Sequence, residues 1–156
     1  MQTKIQLDID SYYEQDYLRW LDVTAEQLRS RSTENLDWEH LVEEVEALGN
    51  EQRNKVKSYL KQLLIHLLLY KYWEQERSYC AQGWENEIDN FRDELELLLE
   101  SKTLYNYCVQ SLDQVYSKAR RRAIKKTRLP SSTFPVDCPF ALEEILDFDF
   151  LPKRQW

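Results

Sequence analysis

The 156-residue chain contains two glycines and four prolines. So few turn formers argue against a β-sandwich or barrel, whose many tight turns need them, and for long helices. Cysteine is scarce as well: Cys80, Cys108 and Cys138 are odd in number, widely spaced and form no Cys-x-x-Cys pair. That pattern supports neither a disulfide framework nor a zinc site, and it fits three reduced, mostly packed thiols in a cytoplasmic protein. Two glycines cannot build a Gly-rich phosphate loop, and there is no Gly-x-Ser-x-Gly elbow and no recognisable nucleophile–base pair. No fully apolar run reaches the roughly 20 residues that a bilayer span requires. The opening MQTKIQLDID has no apolar signal core, so neither secretion nor membrane insertion is expected.

What the chain does have is segregated charge. The formal charge of −7 divides into −11 over residues 1–117, +7 over residues 118–128, where no anion occurs, and −3 over residues 129–156. The acidic body argues against general nucleic-acid affinity and leaves the short basic segment as the only candidate. Aromatic residues make up 13% of the chain, and ten of them are tyrosines whose hydroxyls need partners wherever they are buried.

The most apolar stretch is Val56 to Trp73, VKSYLKQLLIHLLLYKYW. At about 100° per residue, Val56, Leu60, Leu63, Leu64, Leu67 and Tyr70 share one side, while Ile65, Leu69 and Tyr72 occupy the other. A helix apolar all round is a buried helix, so the second half of this one should be covered on every side. The chain's length suggests one domain large enough for a real core.

Around that segment the spacing predicts a first helix from Ser11, which can serve as N-cap, to about Arg31, with Thr24 able to interrupt it. Asp37 offers the next N-cap, and Trp38, Leu41, Val42, Val45 and Leu48 form the apolar stripe of a second helix that Gly49 can end. Asn50 can cap the central helix, about 50–76, although Gly49 can equally be absorbed into one long helix. Glu74 to Gly83 reads as a polar connection. A further helix, Trp84 to Glu100, carries Trp84, Ile88, Phe91, Leu95, Leu98 and Leu99, with Arg92 at the stripe's edge. Ser101 or Thr103 caps the next, which runs to about Thr127 with Leu104, Cys108, Ser111, Val115 and Ala119 inward. Pro130 and Pro135 make an extended linker before a short helix, Phe140 to Leu146, and an aromatic tail. The expected fold is all-α: a single-domain bundle of four long helices and one or two short ones around the central apolar helix.

The punctuation residues, taken together, resemble a known family. Tyr13-x-x-Asp16 with Trp20, Leu36-Asp37, Glu43-Glu44-Val45-Glu46-Ala47-Leu48-Gly49 and His66-Leu67-Leu68 form its first half here. Trp84-x-x-x-Ile88 with Arg92, Tyr116-x-x-Ala119, Phe134-Pro135-x-x-Cys138-Pro139-Phe140, and Ile145-Leu146 with Phe150-x-Pro152 form its second. This combination is similar to the DUF29 family of uncharacterised bacterial, largely cyanobacterial proteins. The resemblance implies a compact helical bundle over residues 11–156 behind a loose tail, residues 1–10, and implies no activity. The family pattern places Ser or His before the tryptophan where this chain has Gly83, which alters any site that used a donor there.

Two groups of residues are candidates for chemistry. The first is a polar cluster of Glu44, Glu46, His66, Arg92 and Trp84. His66, on the edge of the central helix, can bind metal, act as a base or sense pH, although a lone core histidine more often donates to a carbonyl. Glu44 and Glu46 flank their stripe by about 100° and can face a neighbouring helix, as metal-binding bundles require. The repeated Glu-x-x-His pairs of di-iron bundles are missing, and the single reversed pair, His40-x-x-Glu43, falls on the outward face. No metal or cofactor is therefore assigned. Arg92 offers those carboxylates a bidentate partner if it faces the second helix. The second group is the basic segment Lys118, Arg120, Arg121, Arg122, Lys125, Lys126 and Arg128, whose charges spread around the helical circle and read first as a solvated helix end. The functional expectation is association, as a homo-oligomer or with a protein partner, through aromatics of the helix after Leu104 and of the tail. An enzyme centred on His66 and weak nucleic-acid binding by residues 118–128 are the rival readings, and the missing catalytic signatures lean against the enzyme.

Overall fold

The computed structural model describes residues 9 and 11–153. Among them there is no strand. Helical residues 11–15 precede α1 (Tyr17–Arg29), α2 (Trp38–Tyr72), α3 (Glu74–Leu98) and α4 (Lys102–Thr127); a 3₁₀ turn at Ser131–Thr133 and the short α5 (Leu142–Leu146) follow. The expected all-α fold with four long helices is the one observed. The tail expected over residues 1–10 lies outside the described residues apart from Ile9, which is helical and buried. The chain divides into two compact units, Met1–Asn50 and Glu51–Trp156.

Two boundaries differ from the sequence expectation, and at Gly49 the second of the two expected courses holds, each for a local reason. The first helix breaks at Asp16, whose side chain accepts the Arg19 amide at 3.2 Å as N-cap of α1, and Thr24 lies buried inside that helix. Gly49 does not end a helix: α2 runs through it without interruption, because a glycine inside a helix costs only about 1 kcal/mol. The supposed connection from Glu74 to Gly83 is the first part of α3. A single non-helical residue, Trp73, separates α2 from α3, and buried Arg77 makes so short a break tolerable. Its guanidinium donates to the carbonyls of Tyr70 and Lys71, both at 2.7 Å, which are among those a helix end leaves without partners.

Within the second unit, the second half of the α2 segment 56–72 is enclosed as its pattern requires. Val56, Leu60, Leu63, Leu64, Leu67, Leu68 and Leu69 have no exposed surface, and on the far side Ile65 and Tyr72 keep 3% and 6%. The cover comes from Trp84, Ile88 and Leu95 of α3, from Cys108, Val115, Tyr116, Ala119 and Ala123 of α4, and from Phe134, Phe140, Leu142 and Ile145 of the C-terminal segment. Small residues on α4 leave room for close approach. Ser101 caps α4 through the Leu104 amide, and Arg128 closes it in a left-handed conformation, φ 58°. The extended linker is pinned by side chains that donate to its carbonyls: Tyr116 to Pro135 at 2.6 Å, and Arg120 to Phe134 and Ser131 at 3.0 and 2.9 Å.

The first unit is built differently. Its buried apolar residues among those described are Ile9, Trp20 and Leu36. Of the five-residue stripe expected to face a core, four are instead turned outward, Trp38, Val42, Val45 and Leu48 at 57%, 52%, 61% and 65% exposure, while Leu41 is half-buried. The side of α2 that faces inward is polar, for the reason given below.

Candidate functional site

A groove runs along α2 and α4 in the second unit. At one end it is lined by Asn54, Lys57, Ser58 and Lys61 with Gln114, Val115 and Lys118. It continues past Lys61, Lys118, Arg121, Arg122 and Lys125, and ends at Gln62, Ile65, His66, Arg122, Lys125 and Lys126. Adjacent stretches adjoin at shared residues, Lys61 and Lys118 between the first two and Arg122 and Lys125 between the last two. Five of the seven cations of the basic segment therefore lie on one side of α4, which corrects the expectation that they surround the helix. Lys118, Arg121 or Arg122, and Lys125 recur at helical spacing, and that period places them in line. Arg120 is turned away to hold the linker, and Arg128 is the cap residue. Lys57 and Lys61 of α2 complete the lining; the sequence reading missed them because they lie far from the basic segment. Lys57 also sits over the Tyr107 ring, 5.4 Å from its centroid.

His66 is half-buried at the Lys126 end. Its Nδ1–H donates to the Gln62 carbonyl, 2.7 Å away, and its ring lies 5.5 Å from that of Phe91. Burial holds its pKa below the ordinary histidine value, with Lys126 pushing the same way and the Gln62 bond and Glu87 pushing back. At neutral pH this imidazole is uncharged, held on one nitrogen and set at the edge of a cationic groove.

The remaining members of the expected polar cluster have separate surroundings. Arg92 is buried at 1% exposure; its Nε donates to the Ile145 carbonyl at 2.8 Å and its Nη2 to the Glu144 carbonyl at 3.3 Å. Backbone carbonyls thus take the place of the carboxylate pair that its edge position suggested. Trp84 stacks on Trp73 with centroids 5.9 Å apart. Glu46 is exposed. Glu44 accepts from the hydroxyls of Tyr13 at 2.6 Å and Tyr17 at 2.5 Å. Among the described residues, no group of three or more His, Cys, Asp or Glu side chains is placed to hold a metal ion.

Glu44 belongs to a network in the first unit that the sequence reading did not assemble. Asp37, His40 and Glu44 stand at i, i+3 and i+7, a spacing that puts all three on one helix face. Asp37, 4% exposed, caps α2: it accepts from the His40 amide at 3.4 Å, contacts His40 Nδ1 at 2.5 Å and accepts from the Trp20 indole at 3.0 Å. The Tyr13 ring stacks on His40 at 3.8 Å, and Tyr17 stacks on Trp20 at 6.0 Å. The Glu44 bonds push the Tyr13 hydroxyl up to about 12 and raise that of Tyr17, so both phenols stay protonated donors at neutral pH. Such groups fasten a small unit; they are not activated nucleophiles or bases. Visible in the sequence was the reversed pair at His40, but its outward placement assumed that the apolar stripe faced in.

Burial alone would raise the Asp37 carboxyl, but the bonds from the His40 ring, the Trp20 indole and the His40 amide outweigh it and hold the carboxyl below its ordinary value. A carboxyl depressed on folding contributes stability that is complete above the unfolded value, about 3.9, and is lost as pH falls through the folded one. The Trp20 indole proton resonance is therefore expected to titrate with a midpoint below about 3.9, as the first unit loses its structure. A midpoint at or above that value would show that the Asp37 bonds do not form.

Four long helices, no strand among the described residues and an enclosed apolar helical segment define a helical-bundle protein. The chain belongs to the DUF29 family, described as a domain of unknown function, whose family model matches residues 12–151. The resemblance drawn from the punctuation residues thus holds over nearly the whole chain. No curated protein and no solved structure matches it.

Proposed function

We propose that the protein works by association, with the exposed face of α2 between Trp38 and Leu48 as its contact surface. One observation carries this reading: four large apolar side chains, Trp38, Val42, Val45 and Leu48, follow one another at helical spacing and are each more than half exposed. Scattered apolar residues on a surface are ordinary, whereas a contiguous stripe of this kind marks an interaction site. Burying each side chain is worth about 1.5–3 kcal/mol, enough together to offset much of the roughly 4–15 kcal/mol that association costs. Tyr105 and Phe148, from the helix after Leu104 and the tail, are also partly exposed and are smaller, separate contributions to the same behaviour. No helix among the described residues is long and apolar enough to cross a membrane.

The reading is tested by sedimentation velocity across a concentration series with Val45→Glu/Leu48→Glu beside the unaltered protein. Expected is a concentration-dependent oligomer, or one stoichiometric partner retained from lysate, lost in the double variant with helicity unchanged. A monomer at every concentration, with no partner retained, would end it.

A further inference from the structure

We infer that the groove between α2 and α4 binds the sugar–phosphate backbone of a nucleic acid without reading its bases. The inference is independent of the association reading, which concerns the first unit. Lys57, Lys61, Lys118, Arg121, Arg122 and Lys125 line a trough of three adjoining hollows, and among the described residues that line it there is no carboxylate. Among the described residues none of them is in an ion pair, although the chain as a whole carries −7. Lys118, Arg121, Arg122 and Lys125 are exposed and Lys57 and Lys61 half-buried, so in a protein rich in acidic residues these six gather positive potential along a concave, solvent-open surface, where it attracts anions.

Length and lining narrow the ligand. From Asn54 to His66 on α2, and from Gln114 to Lys126 on α4, the trough extends about 18 Å at the helical rise of 1.5 Å per residue. That is too long for one phosphate and suits a chain of them. Cations recur about once per 5.4 Å turn, and the Arg121 and Arg122 forks match phosphate oxygens bidentately. Among the described residues no tyrosine, tryptophan or phenylalanine lines the trough, and His66 at its end is the single ring there, so bases have no stacking platform along it and sequence is not read. Its apolar members, Val115 and Ile65, are buried in the floor. An acidic protein segment would call for exposed apolar or aromatic anchors at the centre of its contact, and the trough has none.

The test is fluorescence anisotropy of a labelled 12-mer oligothymidylate with the full chain at 50 and 200 mM salt. With about four phosphates engaged, at about 0.7 counterions released per phosphate, the affinity is expected to fall about 50-fold between the two. Lys118→Gln/Arg122→Gln/Lys125→Gln is expected to weaken binding at least tenfold, with the far-ultraviolet circular dichroism and the sedimentation behaviour unchanged. Lys102→Gln/Lys153→Gln, which removes charge outside the trough, should leave binding within about twofold. The inference is overturned by no binding at 50 mM salt, by binding that the triple variant retains, or by poly-glutamate competing as well as unlabelled oligothymidylate.

Discussion

Arg92→Ala is expected to cost about 3–5 kcal/mol and to release the C-terminal segment from the second unit. The side chain is 1% exposed and supplies two donors to the carbonyls of Ile145 and Glu144. Its Nη1 is buried with no hydrogen-bond partner among the described residues. The segment it holds includes α5, five residues long and far too short to be stable alone. Truncation removes both donors, strands two acceptors and opens a void, and these penalties combine against a total stability of about 5–15 kcal/mol. Arg92→Met fills most of the void and removes a buried charge with no paired carboxylate, so its cost should be smaller, about 1–3 kcal/mol. Urea denaturation measures both variants, and hydrogen exchange over residues 142–150 shows whether the segment detaches. An alanine variant within 1 kcal/mol of the unaltered protein would mean that the guanidinium does not hold the segment.

Leu68→Ala should be comparably damaging, at about 2.7–5 kcal/mol, because the side chain has no exposed surface and its neighbours come from several elements that cannot all collapse into the void. Trp38→Ala, thirty residues earlier on the same helix, should lie within about 0.5 kcal/mol at concentrations where the chain is dissociated, because that larger side chain is then mostly in water. Denaturation midpoints of the two variants compare the ends of α2 directly. Equal costs would contradict the burial pattern, and so would a larger cost at Trp38.

That contrast also shows what could be read from the residues. Ile65, Leu69 and Tyr72 stand opposite the main apolar side of their helix, and this alone announced an enclosed helix. Likewise, Trp84, Ile88, Leu95, Cys108, Val115 and Ala119 announced the faces that cover it. The orientation of residues 38–48 was not legible, because periodicity says that one side differs from the other without saying which is inside. There a capped carboxylate and two tyrosine hydroxyls decide the matter. Tyr13, Trp20, Asp37 and Glu44, all residues that carry the family resemblance, meet in that network, yet their mutual contacts depend on tertiary placement. The break at Trp73 was hidden for a similar reason: Arg77 reads as an ordinary surface arginine until its donors are found on the carbonyls of Tyr70 and Lys71. The basic segment was legible as composition but not as a trough, since Lys57 and Lys61 join it only through the folding of the second unit.

Amide hydrogen exchange of residues 60–72, followed residue by residue in the native protein, probes the enclosure of this helix directly. The opening free energies of Ile65, Leu69 and Tyr72 should equal those of Leu64 and Leu68 and match global unfolding of the second unit. Opening of the Ile65, Leu69 and Tyr72 side well below the global value would contradict the enclosed helix on which the groove, the Arg92 anchor and the packing of the C-terminal segment all rest.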